Sequence, residues 1–392
     1  MSNVSIYPFT LIQVGMHSDA SDGGVDRYFW DLNQGLQRAA TNLDTRRFFF
    51  GKVTPFSKEA PGHLSLGRAN LPLPRRLLLL RKRVLKTPDF DPGRSVLASH
   101  FSLYALPFLP EFSQLTHVIH FHGPWAQESS LHGQSKLRVL VKKAVEHLVY
   151  RTGSSFIADS SAFRNLLVSE YGVTPDMVHA ILPAVDTSRF HPSDRLVSRD
   201  FLGWPRKRRI IFCVRRLVER TGIEALVAAF GSIATRHSDV YLFIGGQGPL
   251  RGVLESQISS LGLGDRVRLL GFLPDSSLPT AYQAADISIV PSQSLEGFGL
   301  TTVESLACGT PVLVTPVGGL PEVIRPLAPS CILPGAKSDQ IAEGLDAYLA
   351  GELTIPAPAR CVEYVRQSFT WERVARQVLT VYESAFRAKH GS

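Results

Sequence analysis

The segment after the predicted strand Ile287–Val290 carries the residues best suited to bind a charged ligand. It reads PSQSLEGFGLTTVE and opens a predicted helix that ends at Gly309 and Pro311. Gly297 and Gly299 allow the backbone to approach a ligand closely, and the helix start presents free N–H groups and the positive end of its dipole. The pattern therefore predicts a binding site for an anion such as a diphosphate.

Two glutamates accompany this glycine-rich turn. Glu296 stands in the loop itself, and Glu304 lies more than one turn into the helix. A carboxylate at the first position could contact a sugar, and one at the second could accept hydrogen bonds from two vicinal hydroxyls of a ribose. Taken alone, a capped helix with a surface glutamate is an equally ordinary interpretation of these residues.

These residues belong to a chain in which short apolar runs alternate with helical patterns, as in parallel sheets covered by helices. The alternation occurs twice, so we expect an α/β protein with two doubly wound, Rossmann-like domains that face each other across a cleft. The predicted strands of the first domain are Phe9–Val14, Ser95–Ala98, Thr116–Phe121 and Ser155–Ala158, the last followed by the helix-capping candidates Asp159, Ser160 and Ser161. Those of the second domain are Ile210–Val214, Val240–Ile244, Val267–Leu270, Ile287–Val290 and Val312–Val314.

A polar connection with prolines and little periodicity, Ala184–Arg209, separates the two halves. We therefore assign residues 1–186 to an N-terminal, acceptor-side domain and residues 187–369 to a C-terminal domain. The last segment, Phe369–Ala388, has apolar residues at helical spacing and no strand after it. A closing helix, within residues 370–392, is expected to cross back to the N-terminal domain.

The chain of 392 residues, 44% hydrophobic and 19% charged, can fill two globular cores. It contains no apolar run approaching the roughly 18 residues of a membrane span and no signal-peptide pattern at its start, so we expect a cytoplasmic protein. The four cysteines are scattered without metal-ligand or disulfide-framework spacing. We interpret them as buried free thiols.

A net charge of +8 suits a polyanionic partner, whether nucleic acid, anionic lipid or a phosphorylated substrate. The densest basic stretch, Arg75–Lys86, reads RRLLLLRKRVLK and could lie on an anionic membrane surface. A helix that covers the core and exposes a solvated basic face explains this stretch at least as well. A peripheral position on the inner face of the membrane is the expectation that rests on this stretch and on the net charge.

Glu296 and Glu304, with GFGLTTVESLACGTPVL around them and VGGLPEVI at Val317–Ile324, resemble the E-x7-E motif of the large retaining glycosyltransferase family four, which has the two-domain GT-B fold. In that family the first glutamate contacts the donor sugar, the backbone of the glycine turn holds sugar and diphosphate, and the second glutamate binds the ribose. The resemblance implies a catalytic role for Glu296 and donor binding by Gly297, Phe298, Gly299, Leu300 and Glu304.

The resemblance continues at CVRRLVERTGIEALVAAF, Cys213–Phe230. The family has an arginine matching Arg216 and, five residues on, usually a lysine. Both neutralise the departing diphosphate, whose charge fixed cations stabilise by roughly several kcal/mol. This chain has Thr221 at the lysine position, so Arg220 or Arg215 is expected to supply the second charge; the alternative is weaker stabilisation of the leaving group.

Further positions match family loops. Gly246 in IGGQGP follows one strand of the second domain, and Leu273 in RLLGFLP, near which the family's backbone reads the base, follows another. Gly23 and Gly24, after the first predicted strand, resemble the loop that admits donor phosphate and acceptor.

His122, in VIHFHGPWAQES, matches the family's histidine near the reacting sugar and joins Glu296 and Arg216 as the third catalytic candidate that the resemblance implies. Trp125 and Glu128 beside it are candidates to line the acceptor site. His100, in ASHFSLYALP, is another family-like position, which could be purely structural.

A metal site is not expected. His117, His120 and His122 suggest one, but only the last two share a face of the strand, and neither carboxylate nor cysteine joins them. Asp89 and Asp91 formally match the D-x-D signature of metal-dependent glycosyltransferases, yet the flanking prolines indicate a turn. No cofactor is expected besides the substrate nucleotide sugar.

The resemblance implies metal-independent transfer of a sugar, with retention, from a UDP- or GDP-linked donor to a glycan or lipid-linked acceptor, in polysaccharide biosynthesis. Two alternatives stay open: a nucleotide-sugar epimerase or hydrolase of the same architecture, and a non-catalytic subunit that binds nucleotide sugar. Nucleic acid is not an expected partner, because the candidate cleft residues are intact.

Overall fold

The structure is a computed structural model that describes residues 7–15, 24–50, 63–67, 70–88, 90–131 and 133–391. The chain divides into two compact units, one formed by Met1–Pro183 with Trp371–Ser392 and the other by Ala184–Thr370. Each unit contains one parallel sheet covered by helices. The two doubly wound α/β domains expected from the sequence are confirmed.

The first unit is built on a seven-stranded parallel sheet. Its strands are β1 (Thr10–Val14), β2 (Thr45–Phe49), β3 (His63–Ser65), β4 (Ser95–Ser99), β5 (Thr116–Phe121), β6 (Ser155–Ala158) and β7 (Val178–Ala180). They pair in the order β3-β2-β1-β4-β5-β6-β7. Every residue of β4 and β5 is buried, as expected for strands covered on both faces. The helices are α1 (Gly24–Ala39), α2 (Leu73–Leu85), α3 (Trp125–Leu131), α4 (Lys136–Tyr150) and α5 (Ser161–Tyr171).

The second unit is built on a five-stranded parallel sheet. Its strands are β8 (Arg209–Val214), β9 (Val240–Gly245), β10 (Val267–Gly271), β11 (Ile287–Val290) and β12 (Val312–Val314), in the order β10-β9-β8-β11-β12. Its helices are α6 (Arg195–Leu202), α7 (Ile223–Ile233), α8 (Arg251–Ser260), α9 (Leu278–Ala284), α10 (Leu300–Ala307), α11 (Leu320–Ile324), α12 (Ser338–Leu349) and α13 (Pro358–Ser368).

The strand order of the second sheet reverses between β8 and β11, which are neighbours although they are far apart in sequence. At such a switch point the loops leaving the two strands diverge to opposite faces of the sheet and leave room for a ligand between them. The topology therefore brings the residues after Val214 beside those after Val290.

Three strands and one helix were not expected from the sequence. The strands β2, β3 and β7 are short or carry charged residues. Arg47 in β2 is only 1% exposed, and its buried Nε donates a hydrogen bond to Asn33 at 2.8 Å. α6 lies inside the segment that the sequence suggests is irregular. Asp194 begins this helix by accepting the backbone N–H groups of Leu196 and Val197.

The closing helix, α14 (Trp371–His390), belongs to the first unit and packs along α1. The contact is close, since a Cβ atom on Gly35 would lie 2.7 Å from the carbonyl oxygen of Trp371. The expected return of the last helix to the first domain is confirmed.

The basic stretch 75–86 falls in α2, which covers the core of the first unit. Leu80 and Val84 are buried, whereas Arg75 and Lys82 are exposed. This arrangement matches the solvated basic face that the sequence left open as an alternative. Over the described residues, no helix has the length and apolar character required to cross a membrane. All four cysteines are buried and free, as expected.

Candidate functional site

Two loops of the second unit meet at its switch point through an ion pair. The guanidinium of Arg215, directly after β8, bonds to the carboxylate of Glu296 in the loop between β11 and α10. Ser292 donates its hydroxyl to the same carboxylate at 2.7 Å, and Arg215 contacts Ser292 at 3.0 Å. Because Glu296 is only 8% exposed, its carboxylate has a fixed and largely dehydrated position.

The groups around Glu296 keep it ionised. Burial alone would raise the pKa of this carboxyl, but the positive charge of Arg215, the hydroxyl of Ser292 and the charge of Arg220 together lower it below its ordinary value of 4.5. At neutral pH Glu296 therefore presents anionic oxygens, which are strong acceptors for sugar hydroxyls.

The turn after β8 supplies several cations. Arg216 is exposed, whereas Arg220 is half-buried and donates to the carbonyl oxygen of Leu295 at 3.2 Å. Thr221, at the position where the family usually has lysine, is 2% exposed, and its hydroxyl lies 2.6 and 2.8 Å from backbone carbonyl oxygens of its own turn. Thr221 thus closes the turn, and the positive charge of this segment comes from its arginines.

Glycines make the close contact between these loops possible. Gly222 has a φ of 74°, and a Cβ atom there would lie 1.9 Å from the carbonyl oxygen of Pro291. A Cβ atom on Gly318 would lie 1.8 Å from the carbonyl oxygen of Glu296, which accepts the N–H of Gly319 at 3.0 Å. The VGGLPEVI segment thus supports the backbone that carries Glu296.

The start of α10 holds polar atoms that lack a partner within the described part of the chain. These are the buried hydroxyls of Thr301 and Thr302 and, across the loop, Nε of Arg215. An unpaired buried donor costs roughly 1–3 kcal/mol, so a ligand rich in acceptor oxygens would be stabilised here. The N–H groups and dipole of the helix start favour an anion in addition. A diphosphate meets both requirements.

The other donor-binding candidates of this loop differ in their exposure to solvent. Gly297 and Leu300 are half-buried, and Gly299 adopts a φ of 79° directly before α10. Phe298 is buried against Phe369, with ring centroids 5.7 Å apart. The side chain of Phe298 therefore packs in the interior, and the contact of its backbone with a ligand stays a prediction.

Glu304 lies in the interior, on the second turn of α10. It is 1% exposed and accepts a hydrogen bond from the hydroxyl of Tyr282 at 3.0 Å. Burial raises the pKa of the Cys308 thiol, and the negative charge of Glu304 raises it further. The contact of Glu304 with a ribose stays a prediction.

The loops after β8, β9 and β10 pack backbone to backbone. Gly246 has a φ of 132°, and a Cβ atom there would lie 1.8 Å from the carbonyl oxygen of Arg215. Its N–H donates to the carbonyl oxygen of Gly271 at 2.7 Å. A Cβ atom on Gly245 would lie 2.6 Å from Cδ1 of Leu273. Gly246 and Leu273 thus share the edge of the sheet with Arg215.

In the first unit, three imidazoles meet at the carboxyl ends of β4 and β5. One ring nitrogen from each of His100, His120 and His122 lies within 4.8 Å of the others, a spacing that could hold a metal ion. His100 comes from the neighbouring strand, so reasoning on β5 alone missed it. Burial lowers the pKa of His100 and His120 well below the ordinary 6.5, and both are neutral.

His120 is held between two tyrosines. Its Nδ1 lies 3.2 Å from the hydroxyl of Tyr28 on α1, and its Nε2 lies 2.7 Å from that of Tyr382 on α14. Burial raises the pKa of both phenols, so each keeps its proton. The two hydrogen bonds occupy both nitrogens of His120 and join the closing helix to the sheet.

Asp159 contacts His122 from the end of the next strand. Its carboxylate lies 2.9 Å from Nδ1 of His122, and the two side chains are 12% and 7% exposed. Of the expected capping candidates, Ser160 begins α5 by accepting the N–H of Phe163 at 3.2 Å. Asp159 instead pairs with His122, a partner 37 positions away.

The two acceptor-site candidates lie on α3. The ring of Trp125 is 5.0 Å from that of Phe101, and Nζ of Lys142 lies 4.7 Å above it. Glu128 is half-buried on the same helix. Glu146, buried in α4, accepts the backbone N–H of Trp125 at 2.7 Å and so fixes the start of α3. In the sequence, Glu146 is one more charged residue of a helix, and no local signal marks this role.

Some candidates lie at or beyond the limits of the described residues. Gly23 is outside them, and Gly24 is the exposed first residue of α1. Asp89 is outside as well, whereas Asp91 accepts the N–H of Gly93 at 2.9 Å. Asp91 therefore forms the turn that its flanking proline predicts.

Two family models match the chain over most of its length. The model described as Glycosyltransferase Family 4 matches residues 22–189, and the one described as Glycosyl transferases group 1 matches residues 194–368. The chain belongs to glycosyltransferase family four. The first model covers most of the first unit and extends six residues into the second unit, and the second model covers the loops that surround Glu296.

Curated relatives match part of this member of family four. D-inositol 3-phosphate glycosyltransferase 1 of Catenulispora acidiphila is 30% identical over 259 residues, 63% of this chain and 61% of the relative. Mannosylfructose-phosphate synthase of Agrobacterium fabrum is 28% identical over 62% of this chain and 56% of the relative. The match thus spans somewhat more than half the length of these relatives.

Solved structures match nearly the whole chain. Sucrose-phosphate synthase from Thermosynechococcus elongatus covers 97% of this chain and 100% of its own, with a TM-score of 0.76 and 22% identity. Anabaena HepE, solved in complex with UDP-glucose, covers 96% and 99%, with a TM-score of 0.76 and 20% identity. These likenesses confirm the GT-B fold expected for family four.

Proposed function

We propose that this chain is a retaining, metal-independent glycosyltransferase that moves a sugar from a UDP- or GDP-linked donor to a hydroxyl of a glycan or lipid-linked acceptor in polysaccharide biosynthesis. The observation that carries the proposal is the anionic Glu296, held by Arg215 beside the start of α10. The hydroxyls of Thr301 and Thr302, which lack partners among the described residues, suit a diphosphate there. Anabaena HepE in complex with UDP-glucose supports the class of donor.

In the proposed reaction, the acceptor oxygen bonds to the anomeric carbon on the face from which the diphosphate departs. The bond between that carbon and the diphosphate oxygen breaks, and its electron pair goes to the diphosphate. A diphosphate oxygen then takes the proton of the acceptor hydroxyl. Because both bonds lie on one face of the sugar, the configuration is retained without a side-chain nucleophile.

The second unit supplies the donor contacts of this proposal. Arg216 and Arg220 stabilise the charge that grows on the diphosphate, together with the start of α10. Glu296 accepts hydrogen bonds from the sugar, and Glu304 accepts them from the ribose. Backbone groups at Gly246 and Leu273, and in the turn from Gly297 to Leu300, complete the contacts to phosphate, sugar and base.

The first unit supplies the remaining groups. His122 is proposed to contact a hydroxyl of the donor sugar, and Gly23 and Gly24 are proposed to admit donor phosphate and acceptor. Trp125 and Glu128 are proposed to line the acceptor site. The location proposed for the reaction is the cytoplasmic face of a membrane, whose anionic surface suits the net charge of +8.

Calorimetric titration of the purified protein with UDP- and GDP-linked sugars, in the presence of a chelator, tests donor class and metal independence together. We expect saturable binding of a nucleotide sugar that the chelator does not change. Binding that appears only after a divalent cation is added would contradict metal independence, and no binding of any nucleotide sugar would contradict the donor class. Conversion of the bound donor without an acceptor would favour an epimerase or hydrolase.

A further inference from the structure

Helix α4 is apolar on two opposite faces. Its inner face packs into the first unit through Val149 and Tyr150, which are buried. Its outer face carries large aliphatic side chains that are exposed to solvent. Leu140 and Val141 follow Leu137 by three and four residues, and Leu148 follows Val141 by seven, so the four side chains lie on one side of the helix. They are Leu137 (71% exposed), Leu140 (64%), Val141 (55%) and Leu148 (47%).

Basic side chains border this aliphatic stripe. Lys136, Arg138 and Lys143 are exposed. The acidic residue of α4, Glu146, is buried and bonded to the backbone of Trp125. Across α4, every residue of which the structure describes, the exposed charges are therefore all positive.

The basic helix α2 lacks such a stripe. Leu78 is 67% exposed, but it stands among the exposed Arg75, Lys82 and Arg83. The neighbouring Arg81 is paired with Glu111. Helix α2 therefore presents an ordinary solvated surface, although its sequence suggested membrane contact first.

Aliphatic side chains bordered by cations match the two layers that an anionic bilayer presents, acyl chains beneath phosphate headgroups. A nucleic acid would match the cations and leave the aliphatic stripe exposed. An apolar protein surface would bury the stripe and leave the cations unpaired.

We propose that α4 docks the protein on an anionic membrane surface, with Leu137, Leu140 and Val141 inserted among the lipid headgroups. Glu146 joins α4 to the start of α3, so docking brings the helix that carries Trp125 and Glu128 to the bilayer. The inference rests on the proposed function only in giving these two residues an acceptor role; membrane binding itself is independent of the donor site.

Cosedimentation of the full chain with phosphatidylglycerol-containing phosphatidylcholine vesicles tests this docking, with pure phosphatidylcholine vesicles for comparison. We expect binding to the anionic vesicles only. The double variant Leu137→Glu/Val141→Glu should lower the partition coefficient at least about tenfold, since two aliphatic contacts are lost and two repelled charges are gained.

The matched control is Leu78→Glu on α2, an equally exposed leucine on a basic helix, which should bind vesicles like the wild type. Nucleotide-sugar binding, measured by calorimetry, should be unchanged in both variants. Vesicle binding thus tests the docking proposal, and nucleotide-sugar binding tests the donor assignment separately.

Equal binding to neutral and anionic vesicles, undiminished binding of the double variant, or an equal loss in the control would overturn the proposal. Self-association that the double variant abolishes, without vesicle binding by the wild type, would also overturn it and assign the stripe to a second copy of the chain.

Discussion

Glu296 illustrates how the environment of a single residue decides its chemistry. The carboxylate is buried, and burial by itself opposes ionisation. Arg215 reverses this effect, although it stands one position before the arginine that the sequence suggests for the diphosphate. Arg216, which is exposed, stays available for a ligand. The two adjacent arginines therefore differ in their surroundings: Arg215 is paired within the protein, and Arg216 is exposed to solvent.

Glu296→Gln and Arg216→Ala should each lower sugar transfer at least about a hundredfold, the scale of losing one electrostatic stabiliser. The rate is measured as release of nucleoside diphosphate from the donor that calorimetry identifies. Glu219→Gln, at an exposed residue of the same turn that the proposal gives no role, is the control and should keep its activity. Near-normal turnover of either test variant would remove that residue from the catalytic set.

At the scale of elements, the second unit positions its loops through backbone contacts that exclude side chains. The turns after β8 and β9 touch where Gly246 meets the carbonyl oxygen of Arg215. The turns after β8 and β11 touch where Gly222 meets Pro291. Each contact needs both a positive φ and the absence of a Cβ atom, which only glycine combines. By allowing this close approach, these glycines set the distances between the loops that carry the candidate ligand-binding residues.

Gly246→Ala should weaken nucleotide-sugar binding at least about tenfold and destabilise the second unit by about 1–3 kcal/mol, since its Cβ would overlap the Arg215 carbonyl and its φ would be strained. Calorimetry and denaturant unfolding measure the two effects. Gly252→Ala, within α8 and with open space around the added methyl, is the matched control and should leave both unchanged or slightly improved. Similar behaviour of the two variants would mean that the loop contact is not needed for binding.

At the scale of the whole molecule, the two units differ in the groups buried in their interiors. The first unit buries His100, His117 and His120, and burial lowers the pKa of all three, that of His117 to about 3. His117 is further held by Ser99 and Thr152, at 2.8 and 2.9 Å. The folded first unit therefore keeps these histidines neutral in mildly acidic solution.

The first unit should lose stability as the pH falls below the ordinary histidine pKa of 6.5. There the unfolded chain binds up to three protons that the folded chain does not, so the free energy of unfolding falls by up to about 4 kcal/mol per pH unit; above that pKa both states are neutral and this contribution is constant. Denaturant unfolding in a Trp204→Phe background measures it, because the other three tryptophans lie in the first unit.

His117→Asn should reduce that pH dependence by about one proton, even though it lowers stability at every pH. A free energy of unfolding of the first unit that stays level below the ordinary histidine pKa, in the parent protein, would contradict the assignment of these histidines as neutral when folded.

The sequence by itself determined the elements whose signal is local. Strands such as Thr116–Phe121 and Ile287–Val290 are apolar runs between turn signals, and the structure places them at the predicted residues. The glycine turn and helix start after Val290 are equally local, so this candidate anion site could be predicted from consecutive residues. β2 escaped prediction because a charged residue such as Arg47 is unexpected inside a buried strand; Asn33 on α1 accepts a hydrogen bond from its Nε, and that contact is not visible in the local sequence pattern.

Only the tertiary structure decided which distant groups share one environment. Arg215 and Glu296 are 81 positions apart, His100 and His122 are 22, and His120 and Tyr382 are 262. Their charges and protons depend on burial and on the hydrogen-bond partners within about 3 Å, which strand order and the return of α14 bring together. The spacing of residues along a chain carries no such distance, so the sequence could name candidate residues, and only the fold determined the electrostatic surroundings of each.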